Sequence, residues 1–263
     1  MKIKILYEDK DVLVIDKPAS VSVHPDGKTK EKTICDWLIL NYPKIKNVGE
    51  PFILEGKGGE KIKIPRPGIV HRLDKETSGV LIISKNQKTF LFLKDQFQNH
   101  KIKKTYRAFV YGYVPEPKAS LASGKKGVIN AKIGRSSNDI RAFTAGRGAK
   151  EPVRDATTEY VVLNRFSDKK KEELKKKPEN QFSYVEAYPK TGRTHQIRVH
   201  MRYINHPVVS DPLYRGSKDL ALGMKRLALH AMSVTFVLPS AKSLTVESPL
   251  PSDFKNVIDQ YLS

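Results

Sequence analysis

The most concentrated group of chemically capable side chains lies in residues 71–79, which read HRLDKETSG. The segment places Asp74 two residues after Arg72 and shortly before an apolar run, residues 80–84, that predicts a strand. A carboxylate can act as a nucleophile or a base, and a loop beside a rigid strand is a common place for a catalytic residue. A surface turn in which Asp74 bonds to its own backbone explains the same spacing equally well.

A second group lies in residues 188–202, which read YPKTGRTHQIRVHMR. The pattern predicts a helix that begins after a Thr194 cap and buries one face. Arg198 and Arg202 then lie one turn apart on a neighbouring face, an arrangement that a solvated basic surface would also explain. His195 and His200 are five residues apart, and this spacing does not place two zinc ligands on one helical face, so the pattern disfavours a metal site.

A third group begins a predicted strand at residues 104–108, which read KTYRA. Aromatic rings beside cations suit nucleic acid, because every base has a face for stacking and every nucleotide has a phosphate. Tyr106 is the candidate for such stacking. Aromatic residues in strands are more often core or cross-strand packing, and the pattern alone does not separate the two interpretations.

The charge of the whole chain fits a nucleic-acid partner. The 263 residues include 48 Lys and Arg against 28 Asp and Glu, which gives a net charge of +20. Solubility alone would also explain this surplus. The segment 168–177 carries six Lys and three acidic residues, so +17 remains without it. The positive charge is therefore spread along the chain and is not confined to a tail.

Composition excludes several classes of protein. The single cysteine, Cys35, rules out an internal disulfide and a cysteine-based zinc cluster, and its apolar neighbours predict a place in the core. No apolar run approaches the roughly 20 residues that cross a bilayer, and residues 1–10 interleave Lys, Glu and Asp where a signal peptide is apolar. We expect a cytoplasmic protein with no membrane contact.

Short strand patterns alternate with a few helix patterns, and the helices are too few for a doubly wound α/β fold. We predict an α+β fold with a mixed, mainly antiparallel sheet and flanking helices, as a single domain over residues 1–263. Thr33 and Ser252 are predicted to cap the first and last helices. Residues 47–67, rich in Gly, Pro and Lys, are predicted to be a surface excursion.

In this order, the motifs resemble the RluA-type family of RNA pseudouridine synthases over nearly the whole chain. A single short motif would be weak evidence for a family, but several long motifs in the order found in the family are specific evidence for it. The matching segments are residues 5–18, 23–25, 71–79, 104–108, 192–200, 206–207, 211–214 and 227–231.

The resemblance implies a pseudouridine synthase fold in which two subdomains share one sheet. It also implies an isomerase that breaks the N1–C1′ bond of a uridine in RNA, turns the base and rejoins it through C5. By position, Asp74 resembles the catalytic aspartate, Arg198 the arginine that pairs with it, and Tyr106 the tyrosine that stacks on the target base. Such an enzyme flips its target nucleotide out of the RNA.

Further residues resemble the family's RNA-binding positions. Arg72 resembles the arginine that enters the space the flipped nucleotide vacates, and Leu227 or Leu229 the apolar residue under the base. The remaining RNA-binding candidates within the motifs are His71, Arg193 and His195. The resemblance implies no cofactor, no metal and a monomeric protein whose partner is ribosomal RNA or transfer RNA.

Many relatives carry a small RNA-binding domain before the catalytic part, whereas here the catalytic pattern begins by residue 5. We therefore expect RNA contacts from residues 47–67, 119–154 and 169–177. Two other functions stay open at this stage. One is a non-catalytic RNA-binding protein with the same fold, and the other is a hydrolase or nuclease that uses His71, His195 or His200.

Overall fold

The structure is a computed structural model that describes residues 1–25, 30–55, 59–115, 126–168 and 180–263. The chain divides into two compact units. Unit 1 comprises Met1–Lys103 and Ala231–Pro249, and unit 2 comprises Lys104–His230 and Leu250–Ser263. The predicted RNA contacts at residues 169–177 lie outside the described residues.

Unit 1 is built on antiparallel strands. Its elements are β1 (Lys4–Glu8), β2 (Val12–Lys17), α1 (Ile34–Asn41), β3 (Phe52–Glu55), β4 (Lys61–Ile64), β5 (Ser78–Ser84), α2 (Gln87–Gln98), the residues of β13 (Leu229–Val237) from Ala231 onward, and β14 (Ser243–Glu247). β1 pairs with β2 and β2 with β5, while β3 and β4 form a separate hairpin. β13 follows β5 in the main sheet and pairs with β14.

The core of unit 1 lies between its strands and α2. Val12, Val14 and Ile82 pack with Leu93 of α2 and Phe236 of β13, all buried. Every residue of β5 is buried, as the continuous apolar run predicts. Because β5 is covered on both faces, the loop that leads into it, residues 71–77, has a rigid support.

The elements of unit 2 are β6 (Lys103–Tyr111), β7 (Gly127–Asn130), β8 (Ile133–Ser136), β9 (Phe143–Ala145), β10 (Ala149–Arg154), β11 (Thr157–Ser167), β12 (Gln181–Pro189), α3 (Gln196–Tyr203) and α4 (Ser252–Tyr261). Four of its strands are antiparallel neighbours in the order β6-β12-β11-β7, and three others form a small sheet in the order β10-β8-β9. Buried aromatic rings are prominent in its core, among them Phe109, Phe166, Phe182, Tyr184 and Phe254.

These elements confirm the predicted α+β class with mainly antiparallel strands. The Thr33 cap is confirmed, because its hydroxyl accepts from Asp36 N while the Asp36 carboxylate accepts from Thr33 N. Cys35 is buried, as expected. The surface excursion at 47–67 contains the β3–β4 hairpin, which the Gly- and Pro-rich composition did not indicate.

Two predicted helix caps are wrong. α3 begins at Gln196 after His195, which has a left-handed backbone and makes no capping bond through its side chain. The Gln196 carboxamide instead accepts from Arg193 N, at 3.0 Å, and so closes the turn that Thr194 was predicted to cap. α4 includes Ser252 as its first residue after Pro251. None of the helices in the described ranges is long and apolar enough to span a membrane.

Candidate active site

The Asp74 loop runs from the buried Leu73 to the start of β5, and its two buried residues, Leu73 and Thr77, anchor it. Leu73 is 4% exposed, Thr77 is 2% exposed, and Asp74 between them is half-buried. Thr77 N donates to the Asp74 carbonyl at 3.1 Å, which closes a turn around the carboxylate. The buried residues on both sides therefore fix the backbone that carries Asp74.

A fully buried lysine at the end of β2 reinforces this loop. The Lys17 ammonium donates to the carbonyls of Pro18, Val21 and Lys75, at 2.8, 2.9 and 3.0 Å. An ammonium has three donors, and these three carbonyls match that number. Because Lys75 follows Asp74 directly, Lys17 ties the loop to β2.

Gly79 allows the close approach of β5 to β13. Its φ is +112°, and a Cβ at this position would collide with the carbonyl of Ala231. Only glycine adopts this backbone conformation without strain and leaves room for the neighbouring strand. The glycine that ends the 71–79 motif is thus required by the packing within unit 1.

His71 has structural contacts within unit 1. Its Nε2 accepts from Ile82 N at 2.9 Å, and its ring stacks on Phe97 with centroids 4.6 Å apart. The hydrogen bond assigns the acceptor role to Nε2. These contacts hold the start of the loop against β5 and α2, and an RNA contact by His71 stays a prediction.

Positive charges gather near the exposed Arg72. Burial, together with the charges of Arg72 and Arg66, lowers the pKa of His24 to about 4. Burial and the charge of Arg72 also lower the pKa of Arg66, whose guanidinium lies over the Phe52 ring at 4.5 Å. His24, which sequence reasoning did not choose as a site residue, lies in the 23–25 motif, and that motif was the available signal.

Arg198, predicted to be catalytic, lies in a buried ion pair within unit 2. Its Nε donates to Asp211 Oδ2 at 2.7 Å and its Nη2 to Oδ1 at 2.8 Å. Arg198 is 4% exposed, so the solvated basic surface considered for this residue is wrong, whereas Arg202 one turn later is exposed. Asp74 and Arg198 belong to different units, and their pairing stays a prediction.

Asp211 is a site residue that sequence reasoning did not single out. Besides Arg198, its Oδ1 accepts from Leu213 N at 2.9 Å and from Tyr214 N at 3.1 Å. The ring of Tyr214 lies under the Arg198 guanidinium, 4.9 Å from centroid to Cζ. The 211–214 motif, DPLY, was the signal, because it supplies both the carboxylate and the ring.

The predicted RNA-binding His195 belongs to the same network. Its Nδ1 lies 2.9 Å from the Tyr214 hydroxyl, which also accepts from Phe143 N at 2.9 Å. His200 is fully buried between the Thr158 hydroxyl and the Ala131 carbonyl, and burial lowers its pKa. Both histidines therefore have packing roles in unit 2.

The other predicted site residues have the following places. Tyr106 is half-buried in β6 opposite Ala187 and packs on the aromatic core. Arg193 donates from Nε to the Asp155 carbonyl at 3.0 Å. Leu227 and Leu229 are both buried in the core of unit 2, at 0% and 4% exposure, so burial does not choose between them.

Lys104 is a further feature of unit 2, in the same strand as Tyr106. Its ammonium donates to the Thr191 carbonyl at 3.0 Å, and burial lowers its pKa to about 8. Among the described residues there is no group of three or more His, Cys, Asp or Glu side chains placed to hold a metal ion.

Comparisons with known proteins identify the family. A sequence model described as RNA pseudouridylate synthase matches residues 11–203. A Bacillus subtilis protein described as an uncharacterised RNA pseudouridine synthase is 35% identical over 98% of this chain and 73% of that protein. The chain belongs to the RNA pseudouridylate synthase family. Members of this family are isomerases that act on RNA.

Other members extend the comparison. A Neisseria meningitidis relative, named ribosomal large subunit pseudouridine synthase D, is 32% identical over 98% of this chain, which spans 61% of that protein. The solved structure of human RNA pseudouridylate synthase domain containing 1 matches with a TM-score of 0.69 at 24% identity, over 95% of this chain and 84% of that chain. The latter likeness supports the fold.

Proposed function

We propose that this pseudouridine synthase family member isomerises uridines in the RNA of the large ribosomal subunit, with Asp74 as the catalytic carboxylate. The observation that carries the proposal is the Asp74 loop, which Lys17 and two buried anchors hold in one conformation. Relatives named for the large ribosomal subunit support the substrate class. We expect the protein to act as a monomer in the cytoplasm without a metal.

In the proposed reaction the target uridine leaves the RNA stack, because its reacting atoms are inaccessible inside it. Tyr106 would stack on the base, and Arg72 would enter the space left in the RNA. Asp74 would attack as the ionised carboxylate and form a transient adduct, and the N1–C1′ bond would break. After the base turns, the C5–C1′ bond would form and the bond to Asp74 would break. C5 would then lose its proton and N1 would gain one, which restores the free carboxylate. The reaction is an isomerisation, so no bond is hydrolysed overall.

Arg198 would keep the catalytic carboxylate ionised, because a nearby guanidinium favours the charged form. The Asp211 carboxylate and the Tyr214 ring hold Arg198 in one orientation. Asp211 is thus proposed as a positioning residue that acts through Arg198. His71, Arg193 and His195 would contribute to the RNA surface, with Leu227 or Leu229 under the base.

The decisive experiment uses Asp74→Asn with Glu76→Gln as its matched control. Both variants neutralise a carboxylate in the same loop, but only Asp74→Asn is expected to abolish pseudouridine formation. Purified protein is incubated with unmodified large-subunit ribosomal RNA and with transfer RNA, and pseudouridines are mapped by position. Pseudouridine formed by Asp74→Asn would exclude Asp74 as the essential carboxylate.

The same mapping tests the substrate. Pseudouridine in the ribosomal transcript alone supports the proposed substrate class, whereas modification of transfer RNA alone overturns it. Tyr106→Phe is expected to retain most activity, because stacking needs the ring and not the hydroxyl. A severe loss in this variant would assign a chemical role to the hydroxyl.

A further inference from the structure

A groove in unit 2 shares only Tyr214 with the residues proposed to position Arg198. It has a volume of about 450 Å³ and runs between the small β8–β9–β10 sheet and α3. None of the predicted catalytic residues lines it. Its principal walls are formed by Asn138, Phe143, Arg202, Tyr203, Asn205 and Tyr214.

Three polar residues at or just after the end of α3 line one side of the groove. Arg202, Tyr203 and Asn205 are exposed, and Tyr203 retains half of its accessible surface. Within the ranges that the structure describes, these three side chains make no hydrogen bond or ion pair. Their donors and the Tyr203 ring face are therefore available to a ligand.

The opposite wall is rigid and compatible with a negative ligand. The Tyr214 hydroxyl is bonded to His195 and to Phe143 N, which fixes the wall on the side of β9. Asp139, the carboxylate among the lining residues, is paired with Arg141 at 2.8 Å. Its charge is thus offset locally and does not oppose a phosphate near Arg202.

The position of Tyr203 depends on a glycine in the small sheet. Gly146 has φ of +72°, and a Cβ on it would lie 2.9 Å from Tyr203 Cε2. The backbone therefore approaches the edge of the ring at a distance that other residues do not allow. One edge of the ring thus lies close to the small sheet, while half of the residue stays exposed.

A ring, a guanidinium and an amide are the groups with which proteins recognise an unpaired ribonucleotide. Bases in single-stranded RNA stack on aromatic rings and bond through their edges, and arginine binds the phosphate. The groove volume is within the range of about 300–1,000 Å³ of small-molecule sites. One nucleotide therefore fits the groove in both size and chemistry.

We propose that this groove binds one unpaired nucleotide of the substrate RNA other than the target uridine. The base stacks on Tyr203, the phosphate accepts from Arg202, and the Asn205 amide bonds to the base edge. The inference rests on the proposed function for the identity of the RNA. It assigns to unit 2 a second RNA contact, which would contribute to the choice of substrate.

The first test measures RNA binding in the Asp74→Asn background, so that the result does not depend on turnover. The probe is an unmodified large-subunit ribosomal RNA transcript. Tyr203→Ala is expected to bind about 5- to 30-fold more weakly, and Tyr203→Phe within about twofold of the parent. Arg202→Gln is expected to weaken binding and to reduce the slope of log affinity against log salt by about one.

Two matched controls lie outside the groove in the same unit. Tyr113→Ala removes another exposed tyrosine, and Lys255→Gln removes another exposed positive charge. Both are expected to bind within about twofold of the parent. If groove variants and controls lose equal affinity, or if groove variants bind like the parent, the nucleotide site is excluded.

The second test locates the nucleotide directly. The transcript carries 4-thiouridine, is cross-linked to the full chain by near-ultraviolet light, and the joined peptides are identified by mass spectrometry. We expect the peptide that contains Tyr203 to be joined to a nucleotide that is not converted to pseudouridine. Cross-links at Tyr203 that involve only the converted uridine would overturn the inference.

The two proposals fail in different ways. If the wild-type protein makes no pseudouridine but the groove variants still lose affinity, the proposed function is wrong and the groove site stands. If pseudouridine forms and the groove variants bind like the parent, the groove site alone is wrong.

Discussion

Lys17 in unit 1 and Arg198 in unit 2 are both buried cations in segments that carry candidate site residues, and they are held in different ways. Lys17 of unit 1 donates to three backbone carbonyls. Arg198 of unit 2 forms two parallel bonds with one carboxylate and lies over an aromatic ring. A compact ammonium suits carbonyls that converge from several directions, whereas a planar guanidinium suits a carboxylate.

Because their partners differ, the two cations constrain different parts of the protein. Lys17 joins segments of backbone, so it determines where the Asp74 loop lies within unit 1. Arg198 is joined to a side chain, so the pair determines the direction of the guanidinium. Loss of Lys17 leaves neutral carbonyls behind, whereas loss of Asp211 takes two charge-assisted hydrogen bonds from a buried guanidinium. The second loss should therefore be the more costly one.

The largest expected effect is that of Asp211→Asn. The variant removes the carboxylate that accepts from Nε and Nη2 of the buried Arg198 guanidinium, and we expect the free energy of unfolding to fall by about 3–5 kcal/mol. Urea unfolding at pH 7 measures the change. The matched control is Asp253→Asn, which breaks the more exposed pair with Arg226 and should cost about 1 kcal/mol or less. Equal losses would remove the distinction between the two pairs.

The next largest effect tests the cation of unit 1. Lys17→Met retains the apolar stem but leaves three carbonyls without their donor, and we expect a loss of about 2–3 kcal/mol in the free energy of unfolding. Turnover should fall as well, because the Asp74 loop loses its tie to β2. Lys75→Met is the control, since its side chain is exposed while its carbonyl is retained. A Lys17→Met protein as stable as wild type would contradict the assigned role.

A smaller effect concerns the pH dependence of stability that arises from His24, which lies near the charges of Arg72 and Arg66. The folded-state pKa of His24 is about 4, whereas an unfolded histidine has a pKa near 6.5. Between these values the unfolded chain binds a proton that the folded chain does not, so stability falls as the pH falls through this window. His24 should account for about 2 kcal/mol of this loss, at ~1.4 kcal/mol per pKa unit with some solvent screening.

His24→Gln isolates this contribution. Urea unfolding of wild type and variant at pH 7 and at pH 4.5 gives the difference, and the variant should lose less stability on acidification. The lowered pKa of His200 adds to the loss in both proteins and cancels in the comparison. Identical pH profiles would show that His24 does not titrate as the structure indicates.

The smallest expected change in stability is that of Asp74→Asn. Asparagine keeps the size of the half-buried Asp74 side chain and one acceptor oxygen, and the backbone bond from Thr77 to the Asp74 carbonyl does not involve the side chain. We expect the free energy of unfolding to change by less than about 1 kcal/mol. Thermal unfolding followed by circular dichroism checks this value. A large loss would mean that the carboxylate has a structural task like that of Asp211.

Local signals predicted much of the fold. The Thr33 cap and the apolar run of β5 depend on near neighbours in the chain, so a sequence reader can recognise them. The Thr194 prediction failed because the side chain of Gln196 holds the turn before α3 by accepting from Arg193 N, so the helix begins one residue later. Gln196 is buried and bonded to Thr157 and Thr158, which lie 38 or more residues away.

The sequence by itself determined the family, the candidate carboxylate Asp74 and the α+β class, because motifs and periodic patterns depend only on residues that are close together in the chain. Only the tertiary structure decided that Arg198 pairs with Asp211, that Lys17 holds the Asp74 loop, and that a groove opens beside Tyr203. These features depend on which distant segments meet and on which side chains lose water. The spacing of residues along the chain shows neither the contacts between distant segments nor the burial of a side chain, so both had to come from the folded protein.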